Sequence, residues 1–439
     1  MTFLGLDLGT SFIKGAVLRL DPPRLGEVHR APFPGPIPGL PEWSHEVDAH
    51  AVLSATRQVI DRLLPLAPGC QGIFCSGQMG GLILTNNRGE PLSNYISWQD
   101  KRLLEAHPSG AGTFFDVLKT RITEEDWRVL GREVRPGYGP SLLFWLAQTG
   151  RWPARGALAA SLPDWVIASL CATAPVSHVT QAVGALNLET GAWHTALFHR
   201  LGLEDIGWPR VAGLQEPVGT CQINGHSLPC YPAVGDHPCA LAGAGLEAGE
   251  LSLNISTGSQ VSMLTPRLEP FQGQTRPWFD GRFLKTITHL PAGRALNVLV
   301  NLGVELARAH GATLADPWPY FIEQAQRASE SGLRVQPTFF PGPFGDTGSI
   351  SGVGETNLRA GPLFRAALAG MAEYYFTAAL RLDPEQGWRN LVLSGGLALK
   401  IRLLRELIAD RFARKTRVAP SEEDALEGLL TLAAVRRQS

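Results

Sequence analysis

Leu4-Gly-Leu-Asp-Leu-Gly-Thr-Ser11 returns in altered form as Leu253-Asn-Ile-Ser-Thr-Gly-Ser259, about half the chain further on. In each copy alternating apolar residues run into a Gly/Thr/Ser turn and then into a second alternating run, residues 12–18 in one and 260–264 in the other. A period of two on both sides of a tight turn predicts a β-hairpin with a small, hydroxyl-rich tip. Such a tip offers clustered backbone N–H groups and hydroxyls with no bulky side chain in the way, which suits phosphate oxygens. Two tips facing each other across a cleft would grip a nucleotide triphosphate.

The chain around these tips has 439 residues, beyond the size at which single cores usually stop growing, so two domains are expected. Lys and Arg number 39 against 40 Asp and Glu, a formal net charge of −1, and no basic run stands out. Nucleic acid and membrane surfaces are therefore not expected partners, and a small molecule is. Six cysteines (Cys70, Cys75, Cys171, Cys221, Cys230, Cys239) lack CxxC spacing and a His cluster, so they read as reduced structural thiols. The first residues enter a strand with no basic-then-apolar leader, and no apolar run approaches spanning length. The expectation is a cytoplasmic protein, a monomer or homodimer.

Strand-like and helical runs alternate, which indicates α/β architecture. Residues 71–77 read as a strand that stops at Gln78-Met79-Gly80-Gly81, and the Pro/Gly-rich stretch 31–41 reads as a loop bordering the cleft. At 233–245 a short apolar run delivers Gly235-Asp236 to a helix start. The small residues Ala240, Ala242, Gly243, Ala244 and Gly245 that follow permit close backbone approach, as where two domains meet. The boundary is placed just after them, giving domains 1–245 and 246–439. Near the end, the strand Asn390–Ser394 leads into Gly395-Gly396 and an amphipathic helix carrying Leu403, Leu404, Leu407 and Ile408. A Gly-Gly turn opening a helix brings unhindered backbone to a ligand.

Phosphoryl transfer from ATP needs cradled phosphates, a divalent cation near a carboxylate, and a group that takes or orients the acceptor's proton. Asp7, ending the first strand beside the first tip, is the candidate for Mg²⁺, through water because that ion sheds water reluctantly. The alternative is an Asp that only caps the turn. Asp236 is the candidate base, and its alternative is a helix N-cap. A helix N-terminus would favour its ionised form, which a proton acceptor requires.

Gly5-Leu-Asp-Leu-Gly-Thr-Ser11 with Lys14, Ser76-Gly-Gln-Met79, Trp98-Gln-Asp-Lys-Arg102, Gly235-Asp236, Ser256-Thr-Gly-Ser259 and Ser394-Gly-Gly396 together resemble the FGGY carbohydrate kinases in order and spacing, over essentially the whole chain. Within that family, sedoheptulokinase-like members look most similar, through Leu253-Asn-Ile-Ser-Thr257, Pro277-Trp-Phe-Asp-Gly-Arg-Phe-Leu284 and Asn297-Val-Leu. The resemblance implies a two-domain actin/hexokinase-type fold, ribonuclease H-like, that closes about a central cleft. Sugar would bind in the N-terminal domain and ATP mainly on the C-terminal one. By motif position, Asp236 looks like the catalytic base, and Asp7, Thr10, Ser11 and Lys14 like the Mg-ATP end of the first phosphate loop. Thr257, Gly258 and Ser259 match the second phosphate loop and Gly395-Gly396 the adenosine motif. Gln78, Met79, Trp98, Gln99 and Asp100 fall where the family contacts the sugar.

One departure stands out. Family members often carry His after Gln-Met, whereas this chain has Gly80, which removes a hydrogen-bonding group and is expected to enlarge the pocket. The expected activity is ATP-dependent phosphorylation of a ketose, sedoheptulose-like first and xylulose second, with other polyols sharing every motif. An actin-like nucleotide sensor without transfer activity is the reading from another class. His237, beside the proposed base, is assigned no role, since a lone His is more often a local packing or hydrogen-bonding residue.

Overall fold

In a computed structural model, described over residues 1–152, 156–312 and 315–435, both quoted stretches are hairpins. Thr2–Leu8 pairs antiparallel with Phe12–Leu20 around the tip Gly9-Thr10-Ser11. Glu250–Ile255 pairs in the same way with Ser259–Thr265 around Ser256-Thr257-Gly258. Each first strand then takes a parallel neighbour, Cys70–Gly77 in one case and Asn390–Ser394 in the other. This repeated unit seeds two separate sheets, of eight and six strands. Leu4, Leu6 and Leu8 enter the core on one face of the first sheet while Phe3 and Phe74 enter another on the opposite face. Cover on both faces is why these strands read as nearly continuous apolar runs.

The geometry at the strand ends builds the cleft. Val234–Gly235 pairs parallel with the end of Cys70–Gly77, so the chain reaches Asp236 next to the point where Gln78 leaves the sheet. Asp7 lies opposite Ser76 on the same strand. Three strand ends thus deliver Asp7, Gln78 and Asp236 to one edge, the carboxyl edge where ligands of open α/β sheets collect. A separate apolar cluster, including Leu82, Leu103, Leu142 and Phe144, supports the helix Gly139–Gln148 and holds Tyr138 at its N-cap position.

The last helix, Asp424–Val435, comes from the end of the chain but packs on the first sheet, with Leu426, Leu429 and Leu430 in one core with Phe3, Ala16 and Leu18. It also lies tightly against the helix Asp236–Gly243: a Cβ on Gly428 would overlap the Cys239 carbonyl, and one on Gly243 would overlap that of Asp424. The small residues read at 240–245 permit this helix pairing. A cut at 245 in sequence is therefore not a cut in space for the last helix. The Pro/Gly-rich stretch 31–41, expected to border the cleft, is not among its lining residues.

Candidate active site

Between the two sheets lies a cleft of about 800 Å³ lined by Asp7, Thr10, Lys14, Gln78, Met79, Trp98 and Asp236, together with groups from the second half such as Asn254, Arg276 and Asp424. Asp236 is the first residue of its helix, and the cap position belongs to Gly235, so Asp236 is not the N-cap. Its Oδ1 accepts the His237 backbone N–H at 2.7 Å. Burial, then the Asp7 carboxylate, push its carboxyl up to about 7, partly offset by the His237 N–H and the Arg276 guanidinium. The helix terminus was expected to favour the ionised form, but desolvation and a like charge outweigh it. A pKa near working pH nonetheless suits a group that must accept a proton and later release it.

Asp7 accepts from the Ser76 hydroxyl at 3.2 Å, and burial raises it to about 6 against the pull of Lys14 and Ser76. Lys14 is itself held at 2.8 Å by Glu423, just before the last helix, which also takes Arg30. Gln78 is buried, its Oε1 accepting from the Tyr95 hydroxyl at 3.0 Å. Trp98 is 38% exposed, leaving an indole surface on the cleft wall.

Three expectations are corrected. Asp100, read as a sugar contact, has a fully buried side chain, and both its oxygens are occupied: Oδ1 by Arg102 Nε at 2.8 Å and the Arg102 backbone N–H at 2.9 Å, Oδ2 by Arg102 NH2 at 2.7 Å and the His45 backbone N–H at 2.7 Å. Asp100 lines the cleft, but its carboxylate is spent on bracing Arg102 and the His45 backbone. Ser259, read as a phosphate contact, is buried with its hydroxyl donating to the Pro291 carbonyl at 3.0 Å, so it anchors its loop. Gly80 does not enlarge the pocket, because a Cβ there would lie 2.6 Å from the ring of Tyr138, which fills the space.

The remaining second-loop residues adjoin the cleft, since Arg294 on its wall donates its backbone N–H to the Thr257 carbonyl at 2.9 Å. Thr257 and Gly258 are exposed at their tip, Gly396 N–H donates to Ser256 Oγ at 3.2 Å, and the second tip and the Gly395-Gly396 turn therefore sit side by side. Ser11 is exposed at the first tip but does not line the cleft, whereas Thr10 does.

Several site residues escaped the sequence reading. Arg276 Nε donates to Glu133 Oε1 at 2.5 Å and its NH1 to His237 Nδ1 at 2.7 Å. Burial and Arg276 hold His237 well below its ordinary pKa, so it is a neutral strut and no acid/base partner. Burial alone would raise Glu133, but Arg276 and Arg135 bring it below its ordinary value. Asp424, raised to about 6 mainly by burial, accepts from Asn254 Nδ2 at 3.4 Å. Only the place of Asn254 before its tip, matching that of Asp7, was legible as a signal; Glu133, Tyr138, Arg276 and Asp424 carry none.

Residues 2–229 match the model of the FGGY family of carbohydrate kinases, N-terminal domain. The chain belongs to this family. It is thus a carbohydrate kinase. Sedoheptulokinase from Mus musculus is 22% identical over 455 residues, covering 93% of this chain and 92% of that protein. Among solved structures, a gluconate kinase from Lactobacillus acidophilus superposes with a TM-score of 0.83 at 18% identity, covering all of this chain and 90% of the other. A glycerol kinase from Plasmodium falciparum, solved with ADP, gives 0.80 at 15% identity, covering 100% and 90%. These FGGY kinases share the two-domain actin/hexokinase-type fold with this chain and differ among themselves in the acceptor they are named for.

Proposed function

We propose that this FGGY kinase uses ATP to phosphorylate a ketose hydroxyl, with sedoheptulose the favoured acceptor and xylulose the next. The observation that carries this reading is Asp236, a half-buried carboxylate between the two sheets, facing a cleft that also holds Gln78, Met79 and Trp98. The sedoheptulokinase likeness over most of the chain supports the choice of acceptor. In this reading residues 1–245 bind sugar and 246–439 bind ATP. Thr10 and Lys14 on one side, and Thr257, Gly258, Gly395 and Gly396 on the other, attend the nucleotide. The six cysteines are all unpaired, which fits a reducing cytoplasm.

Mg²⁺ fits the hard carboxylate oxygens of Asp7, which lines the cleft beside the first tip and would hold the ion through water. When bound it would neutralise charge on the phosphates. Gln78 and Trp98 hold the acceptor, through hydrogen bonds and a C–H face respectively. Asp236 takes the proton from the attacking hydroxyl as the new O–P bond forms and the bond to ADP breaks. Closure of the two lobes excludes water, which otherwise competes as acceptor.

The test is ADP release from purified protein with Mg-ATP against sedoheptulose, xylulose, ribulose, fructose and glycerol. Saturable stimulation greatest with sedoheptulose supports the reading; a preference for another polyol moves the substrate but keeps the chemistry. Asp236→Asn should bind sugar and ATP yet lose turnover by roughly 10²–10⁴-fold, the usual range for removing a general base. Near-normal turnover in that variant removes Asp236 from the mechanism.

A further inference from the structure

Residue 80 has no side chain, yet the space beside it is taken. A Cβ at Gly80 would lie 2.6 and 2.8 Å from Cδ1 and Cε1 of Tyr138, and 3.3 Å from Cβ of Trp98. Past the ring's other edge stands Gly184, whose Cβ would lie 3.0 Å from Tyr138 Cδ2. Both glycines have left-handed backbone, with φ of +82° and +69°, which any other residue adopts only under strain. The phenol ring therefore sits in a slot between two positions that carry no side chain.

The depth of the ring in that slot is fixed by a loop carboxylate that the second sheet holds in place. Its hydroxyl donates to Glu133 Oε2 at 3.2 Å, and Glu133 is gripped through its other oxygen by Arg276, on the strand Gln274–Pro277 of the second sheet. The ring also packs on Met79 and Val183, and it lines the cleft together with Met79 and Trp98 while remaining only 7% exposed. Met79 in turn backs Gly235, whose Cβ would lie 2.9 Å from Met79 Sδ, immediately before the proposed base. With its hydroxyl proton committed to Glu133, Tyr138 presents ring carbons to the cleft. Such a wall discriminates by size, where one methylene is worth roughly 10–200-fold in kcat/KM.

We propose that Tyr138 is the specificity-determining residue of the acceptor pocket, its ring occupying the volume a side chain at residue 80 would otherwise take, with Glu133 and Arg276 as its positioning residues. The proposal rests on the ketose-kinase reading above and names what sets the acceptor's length. Removing the ring lengthens the pocket beside Met79, so longer ketoses gain relative to shorter ones.

The experiment measures kcat/KM of the full chain for a pentulose (xylulose), a hexulose (fructose) and a heptulose (sedoheptulose), in the wild type, Tyr138→Ala and Tyr138→Phe. Tyr138→Ala is expected to raise the heptulose-to-pentulose ratio by about tenfold or more, whereas Tyr138→Phe, which keeps the ring, leaves that ratio within about threefold of wild type. A merely structural role lowers all three substrates together, so an unchanged ratio in active Tyr138→Ala overturns the proposal and leaves the kinase reading standing. Should Tyr138→Ala fail to fold, Tyr138→Leu keeps part of the volume and is expected to shift the ratio in the same direction; no shift there overturns the proposal as well. Silence of the wild type on every sugar, with ATP still bound, overturns the ketose reading and this proposal with it.

Discussion

Asp7 and Asn254 stand at the same place in the two hairpins. Each is followed by one strand residue and a three-residue tip; each faces a hairpin partner, Lys14 or Gln260, and a serine on the parallel strand, Ser76 or Ser394. Their polarities are opposite: Asp7 accepts from Ser76, whereas Asn254 donates to Ser394 at 2.9 Å and to Asp424. One repeated backbone unit therefore presents an anion on the first sheet and a hydrogen-bond donor on the second.

That asymmetry predicts different fates for the reciprocal substitutions. Asp7→Asn should keep the fold and lower kcat with Mg-ATP by about 10²-fold or more, the scale of a lost charge-stabilising metal contact. Asn254→Asp replaces a donor by a carboxylate facing Asp424 and should cost about 1–3 kcal/mol of stability, read from urea denaturation. Equal effects of the two on turnover and stability would contradict the assignment.

Asp100 is expected to behave as a structural ion, not a sugar ligand. Asp100→Asn takes the bidentate carboxylate from the buried Arg102 guanidinium, which keeps Glu46, and the loss of such charged hydrogen bonds costs about 1.5–3 kcal/mol. Thermal denaturation should show the loss, while the order of preference among sugars stays that of the wild type. A re-ordered preference with unchanged melting temperature would return Asp100 to the sugar site.

Asp164, on the helix Leu162–Cys171, gives stability a pH dependence. Its Oδ1 lacks a hydrogen-bond partner among the described residues, and burial pushes its carboxyl up to about 7. A folded pKa above the unfolded one means the stability is fully present below about pH 4 and is lost as pH rises toward and through 7, by up to about 4 kcal/mol. Asp164→Asn should therefore melt higher than wild type at pH 8 and show no such advantage at pH 4. A gain of the same size at both pH values is incompatible with this origin.

The pairing of the last helix with the helix Asp236–Gly243 should be intolerant of a single methyl. Gly428→Ala drives a Cβ into the Cys239 carbonyl, and overpacking of this kind costs about 1–3 kcal/mol. Gly213→Ala, where no atom lies within 4 Å of the new Cβ, is the control and should stay within about 0.5 kcal/mol of wild type. Matching midpoints for the two variants in denaturant would show that the helices separate without cost.

The sequence by itself determined the two hairpins, the strands carrying Ser76 and Ser394, and the arrival of Asp236 at a helix start. These are local consequences of alternation and turn chemistry, and a period of two or a Gly-rich tip is written within a dozen residues. Only the tertiary structure decided which polar groups face the cleft. Asp100 and Ser259 belong to motifs that look alike on paper, but their oxygens are consumed by Arg102, His45 and Pro291, partners whose approach depends on how the chain packs. Likewise Gly80 reads as a vacancy until Tyr138, 58 positions later, lays its ring there, and Arg276 reaches Glu133 and His237 from a different sheet. Burial and charge act between residues close in space, and sequence separation conceals that closeness. The same physics lifts Asp236 toward neutral pH where its place at a helix start alone pointed to the opposite shift.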